Sequence, residues 1–338
     1  MSGGHDVTAI TRIGVVGAGA WGSALAQVCA AGATADGGEV LLWARDAALR
    51  EAIGRDRVNP VYLPGIPLSP AIRPTGDLGD LAGCDALLLV VPAQHLRSVL
   101  AQAPVADTPL VLCAKGIEAG SRMLMSEMAA ALRPAAPIAV LSGPTFAHEV
   151  AAGLPTAITL ACEEEAVGRA LADRIALPAF RPYLSTDVIG AEIGGAVKNV
   201  LAIACGVVEG AGLGQNARAA LISRGFAEMQ RFGLARGARA ETLSGLSGLG
   251  DLVLTCSSTS SRNFSLGLGL GRGASAADLL ADRRTVAEGA ATAPVLAEAA
   301  RDAGVDMPIV TAVCALLAGQ AGVREVVDRL LARPLKSE

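Results

Sequence analysis

A lysine in the middle of an apolar helix is the residue whose type and position most clearly suggest chemistry. Residues 187–209 predict one long helix that is apolar on nearly every side, and Lys198 and Asn199 lie near its middle. A lysine in such a place either has a task or packs its stem while its ammonium stays in water. Only three of the 28 basic residues are lysines, and a buried lysine can lose its proton whereas arginine cannot. Lys198 is therefore the leading candidate for acid/base catalysis.

A glycine-rich turn near the N-terminus predicts a nucleotide site. The apolar run 12–16 suits a buried strand, and it leads directly into the turn GAGAWG (17–22) and a helical pattern. In the order strand, G-x-G-x-x-G, helix, the glycines allow a tight turn and a close backbone approach, and a pyrophosphate rests on the helix N-terminus. A second glycine run, residues 269–274, follows no predicted strand and is interpreted as a loop.

The end of the second predicted strand, residues 39–46, bears on the choice of cofactor. Arg45 occupies the place where an acidic side chain would bind a ribose hydroxyl, and an arginine there can accept a 2′-phosphate. The alternative is an ordinary surface arginine. With the first interpretation, Arg45 predicts that NADP(H) is accepted as well as NAD(H).

Further strands alternate with helical patterns and set the fold class. They are predicted at residues 85–91, 109–115, 137–143 and 156–162. This alternation predicts an α/β fold with a doubly wound, Rossmann-type parallel sheet, whose ligands lie beyond the carboxyl ends of the strands. Residues 59–70 contain four prolines and are expected to form a rigid loop. We predict a dinucleotide-binding domain at residues 10–187.

From residue 188 onward the pattern is helical, which predicts an all-helical C-terminal domain at residues 188–333 that binds substrate. Between its helices lies a polar, turn-rich segment, residues 245–267, which carries Asp251, Arg262 and Asn263. A serine-rich linker would explain this segment, but loops of this length between helices are often functional.

Composition limits the partners of the chain. A net charge of -4 over 338 residues, with no basic run, gives no general surface for nucleic acid or an anionic membrane. An anionic ligand would need a local site. The seven cysteines are odd in number and widely spaced, which favours free thiols in a reducing compartment. The three histidines form no metal-ligand cluster in the sequence.

An uncharged stretch, residues 13–35, has the length of a membrane span and could also be a signal for export. Five glycines and three polar side chains interrupt it. We therefore expect neither export nor a membrane span.

Seven ordered motifs between residues 12 and 330 resemble one family. They are GAGAWG (17–22), AKG (114–116), LSGPTFAHEV (141–150), GGAVKNVLAIACGVVEG (194–210), GLGDLVLTCSS (248–258), SRN (261–263) and VAEGAATAPV (286–295). Together the motifs resemble the NAD(P)-dependent glycerol-3-phosphate dehydrogenases of bacterial type. The resemblance implies reversible oxidation of sn-glycerol 3-phosphate to dihydroxyacetone phosphate for phospholipid synthesis, by a cytoplasmic homodimer.

The resemblance also implies roles for individual residues. Lys198 matches the general base, and Lys115, Asp251 and Asn199 accompany it. The implied substrate contacts are Lys115, Gly143, Thr145, Lys198, Asp251, Ser261, Arg262 and Asn263. The implied cofactor contacts are Gly17, Gly19, Ala20, Trp21, Gly22, Arg45, Lys115, Ala147, Arg262, Val286 and Glu288. Ala20 departs from the family, which usually has serine there, so one hydroxyl contact to the pyrophosphate is lost.

The chemistry of the residues agrees with this resemblance. Oxidising a secondary alcohol by hydride transfer requires a group that removes the hydroxyl proton, and a neutral lysine can do so. The pKa of Lys198 must then fall from about 10.4 toward about 7 to 8, and burial with the nearby cations Lys115 and Arg262 would lower it. We expect Asp251 and Asn199 to orient the lysine, and Arg262 with Ser261 and Asn263 to bind the substrate phosphate.

Two other functions remain open from the sequence. A β-hydroxy-acid dehydrogenase also combines a Rossmann domain with a lysine on a helical domain, but it would recognise a carboxylate instead of a phosphate. A nucleotide-sensing protein could keep the cofactor domain without turnover, and the presence of Lys198 argues against it.

Overall fold

A computed structural model describes residues 10–36, 38–281 and 287–333 of the protein. The described residues divide into two compact units. The first contains those up to Ala114 and the segment Met123–Glu192, and the second contains Lys115–Arg122 and those from Ile193 onward. The sequence placed the boundary between residues 187 and 188. The structure places it inside the helix that begins there and assigns the short segment after Ala114 to the second unit.

The first unit is built on an eight-stranded sheet. Its strands are β1 (Ile13–Val16), β2 (Val40–Trp43), β5 (Ile72–Thr75), β6 (Ala86–Leu89), β7 (Leu110–Leu112), β8 (Ile138–Ser142), β9 (Thr156–Cys162) and β10 (Phe180–Ser185), and a separate hairpin contains β3 (Val58–Asn59) and β4 (Leu63–Pro67). The order in the sheet is β10-β9-β8-β7-β6-β1-β2-β5. The six strands from β8 to β5 are parallel, and β9 pairs antiparallel with β8.

Helices cover both faces of this sheet because the strands are apolar on both faces. They are α1 (Ala20–Asp36), α2 (Ala47–Glu51), α3 (Ala93–Gln102), α4 (Met125–Leu132), α5 (Ala147–Ala151) and α6 (Glu165–Ile175). Along β1, Ile13 and Val15 pack into one buried cluster with residues of α1 and α6. Val16 points the other way, into a cluster with residues of α3 and α4. The predicted Rossmann-type α/β fold is confirmed.

Three β elements of the first unit were not predicted, and two of them are the outer strands. Both outer strands contain a proline, Pro74 in β5 and Pro182 in β10. Proline is tolerated at a sheet edge because its missing N–H would face away from the neighbouring strand, but it weakens the sequence signal for a strand. The third element is the hairpin of β3 and β4, which occupies part of the segment that we predicted as a proline-rich loop.

The described part of the second unit is helical, as predicted. Its helices are the remainder of α7 (Val188–Gly210), then α8 (Gly214–Ala235), α9 (Ala240–Ser244), a π-helical turn (Leu246–Gly250), α10 (Asp251–Thr255), α11 (Arg262–Gly271), α12 (Ala276–Leu280), α13 (Glu288–Asp302), α14 (Pro308–Leu317) and α15 (Val323–Leu331). Helix α7 is the predicted apolar helix. Asp187 caps it, since the Gly190 N–H donates to Asp187 Oδ1 at 2.8 Å.

The prediction of a turn-rich segment at residues 245–267 was wrong, because most of that segment is helical. The loop predicted at residues 269–274 was wrong for its first half, because α11 continues to Gly271, whereas residues 272–274 lie outside the helix. The reason is packing. A Cβ on Gly206 of α7 would lie 2.0 Å from the Phe264 carbonyl oxygen, and one on Gly267 of α11 would lie 2.0 Å from the Ile203 carbonyl oxygen. The two backbones touch, so glycines that disfavour an isolated helix are required here.

Helix α7 is also the one helix of the described residues that is long and apolar enough to cross a membrane. Its most apolar window has a mean hydropathy of 1.5, and 94% of that window is buried inside the protein. Such burial is typical of a core helix. The stretch 13–35, which we considered as a span, forms β1, the glycine turn and most of α1.

Candidate active site

Lys198 is buried and has two polar hydrogen-bond partners. Its residue is 6% exposed. The Nζ atom donates to Asp251 Oδ1 at 2.6 Å and to Thr255 Oγ1 at 2.9 Å. Asp251 is completely buried. A buried charge is tolerated only when it is paired and hydrogen-bonded, and both conditions are met here.

Lys115 shares the same carboxylate. Its Nζ atom lies 2.7 Å from Asp251 Oδ2, and its side chain is 14% exposed. Asp251 therefore bridges two ammonium groups, one on each oxygen. With both lysines protonated, the cluster of Lys198, Lys115 and Asp251 carries one net positive charge. This charge attracts an anionic ligand, and it disfavours the protonation of both lysines at once.

The short helix α10 explains how Asp251 and Thr255 come together. Residues four apart on a helix lie on the same face, and the Thr255 hydroxyl also lies 3.3 Å from Asp251 Oδ1. Thr255 was not predicted from the sequence because no helix was predicted over this segment. The spacing of four would have indicated the pair. The π-helical turn directly before α10 is a feature often found at functional sites.

The environment of Lys198 favours loss of its proton. Burial lowers the pKa of Lys198 to about 8, the Asp251 carboxylate opposes this shift, and the Lys115 ammonium adds to it. Burial and Lys115 were predicted to act in this direction. Arg262, which was also predicted to contribute, is not among the causes. A pKa near 8 lets the lysine act as acid or base near neutral pH.

Three predicted phosphate ligands lie at the start of α11. The Arg262 side chain is exposed and makes no hydrogen bond or ion pair within the described residues. Ser261 is the N-cap, and its Oγ accepts from the Phe264 N–H at 3.2 Å. Asn263 Oδ1 accepts from the Gly289 N–H at 2.9 Å. Because Ser261 keeps its hydroxyl proton and Asn263 keeps its amide N–H groups, both can still donate to a phosphate.

Asn199 is not placed as the sequence suggested. It is buried next to Lys198, but its side chain makes no hydrogen bond to Lys198 or Asp251 among the residues that the structure describes. Its backbone carbonyl packs against the start of α13, where a Cβ on Gly289 would lie 2.6 Å from the Asn199 oxygen. Glu288 is the first residue of α13, whereas Val286 lies outside the described residues.

The predicted nucleotide turn lies in the first unit, between β1 and α1. Gly17 has a φ of +116°, which favours glycine. A Cβ on Gly22 would lie 1.7 Å from the Gly17 oxygen, whereas one on Gly19 would meet nothing within 4 Å. Helix α1 begins at Ala20. The backbone of the turn is therefore tightly packed at Gly17 and Gly22, and it faces open space at Gly19, beside the N-terminus of α1. These residues fit the pyrophosphate of a dinucleotide.

Trp21 and Ala20 complete this turn. Trp21 is half-buried, and its indole Nε1 is a buried donor without a partner in the described part of the chain. A buried donor without a partner is unusual in a folded protein, so it is consistent with a ligand acceptor that binds here. Ala20 offers no hydroxyl, and the turn must bind a phosphate through its backbone N–H groups.

Arg45 follows β2 at the same edge of the sheet. Its side chain is exposed and has no hydrogen bond or ion pair among the described residues. A second arginine lies beside it, because Arg50 Nη1 donates to the Ala44 and Arg45 carbonyl oxygens at 2.8 and 2.9 Å. Arg50 was not predicted from the sequence. Arg50 lies on α2, which Asp46 caps directly after the strand, and no local sequence pattern indicates its contact with Arg45.

The remaining predicted residues follow β8. Thr145 Oγ1 donates to the Gly143 oxygen at 3.3 Å, and Ala147 begins α5. Because β8 belongs to the parallel part of the sheet, these residues lie at the same carboxyl edge as the glycine turn. Within the described residues, no group of three histidine, cysteine or acidic side chains could hold a metal ion.

Comparisons with known proteins agree with both halves of this description. A family model for the N-terminus of NAD-dependent glycerol-3-phosphate dehydrogenase matches residues 12–168, and the model for its C-terminus matches residues 187–328. The chain is 65% identical to a glycerol-3-phosphate dehydrogenase (NAD(P)+) of Novosphingobium aromaticivorans, over 97% of this chain and 98% of the other. It is 62% identical to one of Sphingopyxis alaskensis, over 98% of this chain and 99% of the other.

A solved structure extends the likeness to the fold. The glycerol-3-phosphate dehydrogenase of Coxiella burnetii superposes with a TM-score of 0.90 at 37% identity, covering 95% of this chain and 99% of that chain. These matches run from the glycine turn to the helices that carry the lysine and carboxylate cluster. The chain therefore belongs to the NAD-dependent glycerol-3-phosphate dehydrogenase family.

Proposed function

We propose that this protein interconverts sn-glycerol 3-phosphate and dihydroxyacetone phosphate with NADP(H) or NAD(H), and so supplies glycerol 3-phosphate for phospholipid synthesis. The observation that carries this proposal is the buried Lys198, which has a lowered pKa and is paired with Asp251. Family membership supports the substrate and the cofactor. The enzyme acts as a cytoplasmic homodimer without a membrane span. Residues 10–187 bind the cofactor, and residues 188–333 bind the substrate.

The hydrogen bonds of Lys198 define its role in proton transfer. A lysine ammonium has three N–H groups, and two of them are directed at Asp251 and Thr255. The third is available for the substrate oxygen. In glycerol 3-phosphate oxidation the neutral amine uses its lone pair there to accept the hydroxyl proton. In the reverse direction the ammonium returns a proton to the forming alkoxide.

The neighbours of Lys198 hold its amine in place and set its charge. Asp251 and Thr255 fix the direction of the free Nζ position, and Lys115 supplies a second positive charge on the same carboxylate. A positive charge stabilises the oxygen that becomes negative during the reaction. When bound, the nicotinamide cofactor supplies or accepts the hydride. The glycine turn, the start of α1 and Arg45 hold its phosphates.

The absorbance of reduced nicotinamide tests this function directly. Mixing the protein with NADPH or NADH and dihydroxyacetone phosphate should produce rapid loss of that absorbance. A β-keto acid should produce little loss, because the proposed site recognises a phosphate. Rapid turnover of the keto acid alone would favour a β-hydroxy-acid dehydrogenase, and cofactor binding without turnover of either compound would favour a sensor.

The pH dependence of kcat should follow the protonation of Lys198. Its pKa is about 8, and the ammonium is the form that reduces dihydroxyacetone phosphate. The reduction rate should therefore fall as pH rises through about 8, and the rate of glycerol 3-phosphate oxidation should rise through the same range. Both profiles are measured at saturating substrate and cofactor.

A variant of Asp251 provides the control for this pH prediction. The carboxylate raises the pKa of Lys198 against the effect of burial. Asp251→Asn should therefore move both profiles to lower pH, while it also lowers the maximal rate. The range from pH 6 to pH 9 extends roughly one unit or more to either side of that pKa, so a titration of Lys198 would be visible within it. Profiles that are flat over this range would assign the proton to another group.

The choice of cofactor should depend on Arg45. We expect wild-type protein to use NADPH at least as well as NADH. The exposed Arg45 follows β2 at the position where an acidic side chain would repel the 2′-phosphate of NADPH. Arg45→Asp should raise the KM for NADPH by roughly 10-fold or more and change that for NADH much less, as loss of a charged hydrogen bond predicts. Equal changes for both cofactors would make Arg45 an ordinary surface charge.

A further inference from the structure

We propose that Asn59 is a positioning residue of the cofactor site, which turns the Gly19 N–H toward the pyrophosphate of the bound dinucleotide. Asn59 was not among the residues that the sequence indicated, and it touches neither the reacting atoms nor, in this proposal, the cofactor. The inference rests on the cofactor site of the proposed function and adds to it the residue that sets the direction of a phosphate-binding group.

Both N–H donors of the Asn59 side chain are hydrogen-bonded to the glycine turn and the start of α1. The residue is 0% exposed. Its Nδ2 donates to the Ala18 carbonyl oxygen at 3.0 Å and to Ser23 Oγ at 2.8 Å, and its Oδ1 accepts from the Tyr62 N–H at 2.9 Å. A side-chain amide has two N–H donors, and both are used on the segment that contains the turn and the first residues of α1.

The bond to Ala18 fixes a peptide plane. In a trans peptide the C=O of one residue and the N–H of the next point in opposite directions, and the described chain contains no cis peptide. Because Asn59 holds the Ala18 C=O, the Gly19 N–H must point away from Asn59. That N–H has no acceptor among the described residues, and a Cβ on Gly19 would meet nothing within 4 Å. The free donor therefore faces open space beside the start of α1.

Local backbone features explain why the Asn59 side chain points at the turn. The register of the β3 and β4 hairpin shifts between Val58 and Asn59. Such a bulge commonly re-aims a side chain. Arg57, directly before β3, has a left-handed φ of 56°, and its guanidinium donates to the Ile72 oxygen at 2.9 Å. The hairpin is thus held in place, and the buried side-chain amide of Asn59 contacts the phosphate-binding turn.

The chain offers a matched control at a second link between α1 and the segment after the hairpin. Gln27 Oε1 accepts from the Ser69 N–H at 2.8 Å. Like Asn59, Gln27 uses its side-chain amide to tie α1 to another part of the first unit, but its hydrogen bond with Ser69 does not involve the glycine turn. Gln27→Leu should therefore lower the thermal unfolding temperature by removing one tie and leave cofactor affinity unchanged.

The test compares ligands that do and do not contain a pyrophosphate, with tryptophan fluorescence as the measure of binding. For Asn59→Leu and Asn59→Asp we expect the Kd of NADPH and of ADP-ribose to rise about 10- to 100-fold, the range for a misdirected hydrogen bond to a charged group. The Kd of adenosine 2′-phosphate, which lacks the pyrophosphate, should change less than about threefold. At saturating NADPH, kcat should remain near that of wild type.

A measurement on the wild-type chain keeps the proposal testable if both variants fail to fold. Amide exchange of the Gly19 N–H should be fast in the free protein and slow with ADP-ribose bound, and it should stay fast with adenosine 2′-phosphate. Unchanged exchange with ADP-ribose would overturn the proposal, as would equal loss of affinity for all three ligands in the Asn59 variants. Failure of wild-type protein to bind NADPH at all would instead overturn the proposed function.

Discussion

Lys198→Met should fold, bind NADPH as tightly as wild type, and lose at least 10²- to 10⁴-fold in kcat, the range typical of a general acid/base group. Methionine fills the volume of the lysine stem inside α7, and Asp251 keeps its second partner, Lys115. The variant therefore removes proton exchange with little change in packing. Steady-state kinetics with dihydroxyacetone phosphate and a fluorescence titration with NADPH measure the two expectations separately.

Two companions to this variant separate proton exchange from charge. Lys198→Arg keeps a positive charge but cannot lose its proton, so it should be as inactive as the methionine variant. In Lys198→Ala a small primary amine added to the solution should restore part of the rate, because it replaces the missing base. Retention of more than about a tenth of kcat in Lys198→Met would show that another group carries the proton.

The second large effect is expected at the other end of the substrate. A phosphate dianion in a chain of net charge -4 needs a local cation, and the Arg262 guanidinium offers a fork that matches two phosphate oxygens. The Arg262 side chain is exposed and makes no hydrogen bond or ion pair within the described residues. Ser261 and Asn263 next to it are held in place by accepting from the Phe264 and Gly289 N–H groups. These hydrogen bonds use only the oxygen atoms as acceptors, so the hydroxyl of Ser261 and the amide N–H groups of Asn263 can still donate to the phosphate.

Arg262→Leu should lower kcat/KM for dihydroxyacetone phosphate by about 2 to 5 kcal/mol, which is the range for removing one partner of a desolvated charge pair. Because the phosphate is remote from the reacting carbon, its binding energy also positions the substrate, and kcat should fall as KM rises. The slow reduction of unphosphorylated dihydroxyacetone should change much less. Both substrates are compared at saturating NADPH.

The same helix supplies the control for Arg262. Arg272 is an exposed arginine at the other end of α11, and Arg272→Leu changes the net charge by the same amount. It should leave kcat/KM within about twofold of wild type, since exposed charges distant from a site contribute little. Equal losses on dihydroxyacetone phosphate and dihydroxyacetone in Arg262→Leu would move the phosphate site elsewhere and assign Arg262 to the cofactor or the fold.

Much of the fold followed from the sequence because apolar runs and glycine spacing are local signals. The strand before the glycine turn and the helix around Lys198 were predicted within one or two residues. The short helix α10 was not, because its polar and glycine-rich surroundings have weak helix propensity and the helix depends on tertiary packing. Thr255 was missed for the same reason. Its chemistry becomes visible only when Asp251 lies one helical turn away.

Asn59 shows a different limit of sequence reasoning. Its segment is rich in proline and was predicted as a loop without chemistry, although its amide is buried against the nucleotide turn. Nothing in the local pattern indicates which distant carbonyl an asparagine will meet. Arg50 was missed in the same way, since an arginine on a short helix has no special sequence signal until its contact with the Arg45 carbonyl is known.

The prolines in the two outer strands have a consequence for self-association. A second copy could add to the sheet only by pairing with β5 or β10, and such pairing requires a row of free N–H groups along the strand. Pro74 and Pro182 interrupt that row near the middle of each strand. A sheet that continues from one subunit into the next is therefore disfavoured. The proposed homodimer should form through other surfaces, and the same prolines disfavour the edge-to-edge stacking that begins aggregation.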